Sequence, residues 1–455
     1  DKGAADAKAA DLVRIAVSKV TDDAPLPIIE MGIERSVLVL GGGLSGMTAS
    51  MALVNRGFKV HLLERGEELG GHLRHIKYLF EGEGDPQAHL SGLVEKVKAE
   101  KDIDIHMGTE LVSIDGVPGL FRSKVAGPDG EKELTHGAII IATGGIEYGP
   151  TEYLYGKNDN VITQAQLEER MVAGGVKDGT VVMVQCVGSR TKEHPFCSRI
   201  CCTVAVKNAL RIKDTAPGCE VYILFKDMRT YGFTEDRYRE ARGKGIHFVR
   251  YSDDNMPEVT EKGGHLKVNY WDPVLRRKVD LGTDLVVLSA GIHPNPDNEA
   301  LAKMLRVPLN KDGFLLESHM KMKPVEFSRE GIFLCGLAHG PKTIGESVAQ
   351  ATAAASHAAK ILSKDSLHGQ LITAQVDPDK CRGCGRCEEV CEYNAIKVVT
   401  KTIRDRERMV SEVDEAKCRA CGKCSTICCN KSITMKHFTT GQIEHMIEAA
   451  LKEGS

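Results

Sequence analysis

Arg35-Ser36-Val37-Leu38-Val39-Leu40-Gly41-Gly42-Gly43-Leu44-Ser45-Gly46 decides the fold. The apolar run Val37 to Leu40, closed by glycine, reads as a strand buried on both faces. Gly41, Gly43 and Gly46 then give G-x-G-x-x-G, followed by an Ala-rich helical pattern over 47–56. A second strand, Lys59-Val60-His61-Leu62-Leu63, ends at Glu64. Glycine spacing alone would say little. Set between strand and helix, with an acid about twenty residues on, it specifies a dinucleotide-binding unit. The glycines let backbone N–H groups approach a pyrophosphate, and the helix N-terminus faces its charge. Glu64 is placed to accept hydrogen bonds from an adenosine ribose.

Working outward, 455 residues imply two to four domains. With 42% hydrophobic and 27% charged residues, the composition is that of a soluble globular protein and excludes a disordered or fibrous chain. Sixty basic against 63 acidic side chains, a net charge of -3, argue against nucleic-acid binding through a global positive field and leave only a local patch open. No apolar run reaches the roughly 18–20 residues of a membrane span, and residues 1–30 lack a signal-peptide pattern. Residues 9–20 read as a lead helix, closed by a Pro-containing linker at 24–27. The chain opens at Asp1 without methionine, as a mature fragment or an incomplete N-terminus would. Thirteen of the fifteen cysteines fall in two clusters, at 186–202 and 381–429, leaving Cys219 and Cys335 alone. Clustering of this kind points to metal ligation or redox chemistry, and to a reducing cytoplasm.

The fingerprint does not choose between FAD and NAD, but later segments do. Ile139-Ile140-Ile141-Ala142-Thr143-Gly144-Gly145 is a strand running into an A-T-G turn, and Leu285-Val286-Val287-Leu288-Ser289-Ala290-Gly291 looks like its counterpart. Gly331-Ile332-Phe333-Leu334-Cys335-Gly336 precedes a long Ala-rich helix from about Ile344 to Leu362. On these residues, 34–363 resembles the two-dinucleotide-fold flavoprotein disulfide reductases of the thioredoxin reductase type. The resemblance implies FAD on the first fold, against Gly41, Gly43, Leu44, Ser45, Gly46 and Glu64. It adds Arg65, Gly70 and Gly71 after the acid, then Ala142, Thr143 and Gly144, and finally Gly336, Lys342 and Thr343. Leu337 departs from the pattern, which has an aspartate there for the ribityl chain. Lys342, ahead of the Ala-rich helix whose N-terminus should face the flavin pyrimidine, is a candidate for stabilising an anionic flavin, with a solvated lysine the plainer reading.

The central segment should bind NAD(P)H in such reductases, yet its first strand, Thr180 to Val184, runs into Gln185-Cys186-Val187-Gly188-Ser189-Arg190. Only Gly188 remains of a second fingerprint, so the backbone is not expected to approach a pyrophosphate. The C-x-x-C dithiol of thioredoxin reductases is missing too. Cys186 and Cys197-Ser198-Arg199-Ile200-Cys201-Cys202 stand there instead, opening a helical pattern over 203–212. Four thiols within seventeen residues, three at a helix start that favours thiolate, form a soft ligand set. Their spacing leaves three readings open: a 4Fe–4S cluster, a redox disulfide, or zinc or inert core thiols.

A repeat gives the clearest signal of all. Lys380-Cys381-Arg382-Gly383-Cys384-Gly385-Arg386-Cys387 recurs, offset by 37, as Lys417-Cys418-Arg419-Ala420-Cys421-Gly422-Lys423-Cys424, and each run reaches a fourth cysteine, Cys391 and Cys428. This is C-x2-C-x2-C-x3-C twice, the two-cluster ferredoxin pattern, in which the fourth cysteine serves the other cluster. One cluster takes Cys381, Cys384, Cys387 and Cys428; the other takes Cys418, Cys421, Cys424 and Cys391. Glu392 and Cys429 replace the usual proline, which loosens a turn and removes no ligand.

Together, the flavoprotein fold, the C-S-R-I-C-C segment and the trailing ferredoxin resemble the family of heterodisulfide reductase A subunits and the related subunit of quinone-interacting oxidoreductases. That resemblance implies an FAD- and iron–sulfur-dependent oxidoreductase of methanogenic type. It makes Cys186, Cys197, Cys201 and Cys202 the ligands of a third 4Fe–4S cluster near the flavin. It also implies electron bifurcation between a low-potential ferredoxin-type acceptor and a disulfide or other high-potential acceptor. The partners it implies are B and C subunits, ferredoxin, and a donor linked to hydrogenase or formate dehydrogenase, around a homodimeric core. The family's N-terminal cluster-bearing domain is not expected here, and the loop at 72–90 carries no cysteine. Two other readings stand beside it: an NAD(P)H-dependent flavoprotein like the small subunit of glutamate synthase, and a non-catalytic electron-wiring protein. The sixteen histidines show no pairing at ligand spacing.

The fold expected is α/β, with two thioredoxin-reductase-like three-layer ββα folds and an α+β two-cluster ferredoxin domain. Its divisions are a lead helix and linker (1–33), a discontinuous FAD-binding domain (34–151 with 284–363) and a central domain (152–283). A linker (364–375), the ferredoxin domain (376–436) and a C-terminal helix (437–455) follow.

Overall fold

Ser36–Leu40 is buried at every position, as a strand between two covered faces must be. The computed structural model describes residues 2–23, 25, 28–370, 372–415 and 417–451. They fall into two compact units, 34–363, and 1–33 with 364–455.

In the larger unit, five parallel strands lie in the order Ile332–Leu334, Ala138–Ile141, Ser36–Leu40, Lys59–Glu64, Ile103–Met107. Alternation within each strand sends Leu38, Leu40, Leu63, Ile139 and Ile141 to one face. There they pack with Phe121 and Val125 of an antiparallel sheet formed by Glu110–Val117, Leu120–Gly127 and Gly130–His136. The helices Leu44–Val54 and Ile344–Leu362 pack on each other, and Ala49, Ala351, Ala354 and Ala355 on them are fully buried. Small residues allow that close approach.

The same three layers recur. Val161–Thr163, Leu285–Ala290, Thr180–Val187, Glu220–Phe225 and His247–Arg250 form a second parallel sheet. The antiparallel strands Glu258–Lys262, His265–Asp272 and Arg277–Thr283 cover one face. The apolar side of Cys201–Thr215 covers the other. Two short antiparallel strands, Gly145–Glu147 and Ile292–Pro294, join the repeats.

In the smaller unit, Ala374–Val376 pairs with Ile433–Met435, and Ile396–Ile403 with Arg406–Val413. The short helices Arg386–Glu389 and Lys423–Ile427 begin within the two cysteine runs. The lead helix is longer than its apolar period suggests, Lys2–Val20, because the alanines ahead of residue 9 extend it. It lies against Thr440–Leu451, with the Ser18 hydroxyl donating to the His445 carbonyl at 3.0 Å. The segment expected as a linker at 364–375 instead carries Ser366–Gln370, paired antiparallel with Ile28–Gly32. Its partner lies more than 330 residues away, so no local signal marks it. Of the linker expected at 24–27, only Pro25 lies within the described residues. Among the described residues no helix is long and apolar enough to cross a membrane.

Candidate functional site

Backbone packs on backbone around the first glycine turn. A Cβ on Gly46 would lie 1.8 Å from the Gly41 carbonyl oxygen, and one on Gly41 (φ +108°) would lie 2.4 Å from that of Ala142. The turn is thereby fixed against the Ala142-Thr143-Gly144 loop. It leads into Leu44–Val54, whose N-cap Gly43 offers no side-chain cap, so the first-turn N–H groups at Ser45 and Gly46 stay available to an anion. Gly43 bridges Gly70, and Gly70 donates to the Gly42 carbonyl at 2.9 Å. Gly71 (φ +51°) would carry a Cβ 3.2 Å from the Gly43 Cα.

Glu64 accepts from the Gly42 N–H through Oε2 and from the Gly66 N–H through Oε1, both at 2.7 Å. Its carboxylate therefore orders the turn. Arg65 is engaged at the surface with Asp297 at 2.5 Å. The Thr143 hydroxyl is buried without a partner. Gly336 (φ +70°) closes on Ser45, whose Oγ a Cβ would meet at 2.3 Å. Narrow contacts, an uncapped helix start and an orphaned hydroxyl fit a bound dinucleotide such as FAD.

Thr343 caps Ile344–Leu362 in a reciprocal box with Glu346. Beside it, the Lys342 ammonium donates to the Gly340 carbonyl at 2.9 Å. Burial, and then the Arg199 charge, pushes Lys342 down to about 8. The Lys342 side chain is half-buried, its ammonium held on the Gly340 carbonyl.

The second set of cysteines occupies the corresponding end of the central sheet. The ladder shifts register between Val184 and Val187, and Cys186 there is left-handed (φ +63°). A bulge of this kind re-aims a side chain at the sheet end. The helix begins at Cys201, so Cys197 sits on the preceding loop and not at the helix start. Three anchors hold that loop. The Arg199 guanidinium pairs with Glu346 at 2.6 Å and donates to the Pro341 carbonyl at 3.1 Å. The Ser198 hydroxyl accepts from the Ile292 N–H at 2.9 Å. Arg199 thus ties the cysteine loop to the start of Ile344–Leu362. Nothing in its spacing announces that role.

The two thiols at the helix start, Cys201 and Cys202, shift in opposite directions, and Cys186 on its strand is raised. Burial pushes Cys186 up to about 11, with Cys202 adding to it. Cys201 is raised by its hydrogen bond to Cys202 and by burial, while that same bond lowers Cys202 to about 7. A metal would therefore displace protons from buried thiols here. Every cysteine is free. Among the described residues, no three cysteine sulfurs gather within 4.8 Å of one another, whereas four thiolates on one zinc ion would stand about 3.8 Å apart.

In the smaller unit, two cavities sort the cysteines. One is lined by Cys381, Cys384, Cys387 and Cys428, and by Cys429 as well. The other is lined by Cys391, Cys418, Cys421 and Cys424. Each run therefore lends its fourth cysteine to the other's cavity. The repeat extends to the backbone: the Ala395 N–H donates to Cys391 Sγ and the Ser432 N–H to Cys428 Sγ, each at 3.3 Å.

Histidines that look unpaired in sequence are in one case paired: parallel strands bring His61 and His106 to a shared carboxylate, Asp104. The D-x-H spacing at 104–106 is the signal that could have found them.

Residues 35–178 match the pyridine nucleotide-disulphide oxidoreductase family, and residues 374–397 the 4Fe-4S binding domain. Thioredoxin reductase from Lactococcus lactis superposes over 72% of this chain and 99% of its own, with a TM-score of 0.52 at 19% identity. That from T. acidophilum covers 73% and 100%, at 0.50 and 16%. These likenesses show the fold. The iron-sulfur A subunit of CoB–CoM heterodisulfide reductase from Methanocaldococcus jannaschii is 32% identical over 87% of this chain and 75% of its own. The A subunit of the H(2):CoB-CoM heterodisulfide,ferredoxin reductase from Methanothermobacter thermautotrophicus is 31% identical over 100% and 82%. The chain is accordingly an FAD- and iron–sulfur-dependent oxidoreductase. Identity at this level over most of both chains places it in the family of heterodisulfide reductase A subunits.

Proposed function

We propose that this chain is the electron-distributing subunit of a heterodisulfide-reductase-like complex, holding one FAD and three 4Fe–4S clusters. It would split electron pairs between a low-potential, ferredoxin-type acceptor and a disulfide or other high-potential acceptor on a partner subunit. Bound FAD would supply the chemistry of accepting an electron pair and releasing it singly, and each cluster would carry one electron.

The observation that carries this reading is the Arg199 anchor. It holds the Cys197 loop against Glu346 and Pro341, at the start of the helix that closes the flavin cradle. A soft-ligand set pinned there is positioned to exchange electrons with the flavin. Lys342, half-buried beside the same helix start, would supply positive charge to an anionic flavin while it keeps its proton, below about pH 8. In the smaller unit, Cys381, Cys384, Cys387 and Cys428 would hold one further cluster, and Cys391, Cys418, Cys421 and Cys424 the other. The glutamate-synthase-like alternative requires a nucleotide seat at 185–190, which the side chains there disfavour.

The partners follow from the relatives. The name of the M. thermautotrophicus protein joins hydrogen, the CoB–CoM heterodisulfide and ferredoxin. B and C subunits, a donor linked to hydrogenase or formate dehydrogenase, and a homodimeric core are proposed on that likeness. Anaerobic purification with partners retained, followed by mass spectrometry and flavin and iron analysis, tests the reading. One FAD and about twelve irons per chain, four per cluster, are expected. About eight would remove the third cluster.

A further inference from the structure

Three potential ligands outside the flavin cradle and the cysteine sets converge at the edge of the first parallel sheet. Register pairs His61 with Asp104 and Leu63 with His106. Asp104 and His106, two apart on one strand, therefore share a face with His61. Their ligand atoms all lie within 4.8 Å of one another. Asp104 Oδ2 is 3.1 Å from His106 Nε2 and 3.6 Å from His61 Nδ1. Ligands 2.0–2.1 Å from a tetrahedral zinc ion stand about 3.4 Å apart, and the two measured edges fall on either side of that value.

The alternative is an ordinary histidine–carboxylate contact at a sheet edge. In that case one ring would claim the carboxylate, whereas here a single oxygen, Asp104 Oδ2, faces His61 Nδ1 and His106 Nε2 together, and both nitrogens are buried. Neutral imidazole presents a lone pair, the form that binds metal. The Asp104 side chain is 64% exposed, which leaves access for an ion and room for water. Two imidazoles and one carboxylate suit a borderline cation, whereas calcium and magnesium want oxygen ligands.

We propose that His61, Asp104 and His106 bind one divalent cation of the zinc class, through two imidazole nitrogens, one carboxylate oxygen and water. The ion bridges Lys59–Glu64 and Ile103–Met107, and so clips the edge strand to the strand that ends at Glu64. No electron transfer is involved, and the site stands apart from the iron–sulfur reading.

The test uses anaerobically purified protein with its clusters intact, passed over a chelating resin and titrated with Zn²⁺, then with Co²⁺ as a spectroscopic probe. The wild type should take up one zinc with its iron content unchanged. Cobalt should give weak visible bands without thiolate charge transfer. Outer-shell partners alone are worth about 10–100-fold in affinity, so Asp104→Asn should weaken zinc binding at least roughly tenfold. Asp104 is exposed, so this variant should fold; His106→Gln is the second, with the same loss expected. Unchanged affinity in both variants would overturn the site. So would a thiolate-dominated cobalt spectrum, or no zinc uptake by the wild type.

Discussion

The ring of Tyr148 fills the space in front of Gly188: a Cβ at position 188 would lie 2.1 Å from the ring Cδ1. Tyr148 follows the joining strand Gly145–Glu147 and stacks on His293 with centroids 4.9 Å apart. The imidazole of His293 in turn contacts the Gly188 carbonyl at 2.6 Å. The one glycine left in the central turn therefore faces an aromatic side chain, where a nucleotide-binding turn faces pyrophosphate. The helix that would meet those phosphates starts late, at Cys201.

It follows that neither NADH nor NADPH should reduce the flavin. In an anaerobic stopped-flow experiment, flavin absorbance should stay unbleached with either nicotinamide and fall with a low-potential one-electron donor. Fast bleaching by NADH or NADPH would restore the glutamate-synthase-like reading.

The parts legible in the sequence are those with local signatures. Arg35 to Gly46 carries strand, turn and helix in one continuous stretch, and the 37-residue repeat states its ligand sets by spacing. What escapes is non-local. Ser366–Gln370 is a strand because Ile28–Gly32 pairs with it, and five residues without alternation cannot announce a partner that remote. His61 and His106 meet only because their strands are parallel neighbours. Spacing puts Cys197 at a helix start, yet the loop anchored by Ser198 and Arg199 holds it outside the helix. Helix-end electrostatics are likewise outweighed at Cys201 by its hydrogen bond to Cys202 and by burial.

The crossed sorting of the ferredoxin cysteines can be checked by substitution. Cys428 follows the second run in sequence but lines the cavity of the first, with Cys381, Cys384 and Cys387. Cys428→Ser should thus damage the cluster of the first run and leave that of the second intact. Cys391→Ser should do the reverse. EPR of the reduced variants, compared with Cys384→Ser and Cys421→Ser as references, distinguishes the two clusters. Matching signals for Cys428→Ser and Cys421→Ser would contradict the crossing.

Acid sensitivity is expected from His136. The Ser123 hydroxyl lies 2.8 Å from its Nε2, and its Nδ1 lies 3.1 Å from the Ala138 carbonyl, so the fully buried ring is held neutral. Burial pushes it down to about 3. An unfolded histidine binds a proton near 6.5, so the associated stability is present above pH 6.5 and is lost progressively as pH falls toward 3. Between pH 7.5 and 5.5 the loss should be about 1.4 kcal/mol. Anaerobic unfolding followed by circular dichroism should show this extra slope in the wild type and not in His136→Gln. Equal slopes would mean the ring titrates normally in the fold.

Cys197 gives the most direct test of the third cluster. It lies on the loop that Arg199 fastens to Glu346, and its backbone neighbour already serves it: the Arg199 N–H points at Cys197 Sγ at 3.3 Å. A disulfide would occupy only two of the four free thiols. If a cubane is bound, Cys197→Ser should lower iron from about twelve to roughly eight per chain, or leave a three-iron centre. Flavin content should be unchanged, because the contacts of Gly41, Gly46 and Glu64 do not involve the loop. The ferredoxin signals should persist, while electron exchange between flavin and external partners slows. The anaerobically reconstituted variant supplies the measurement, and an iron count equal to the wild type would mean that these four cysteines hold no cluster.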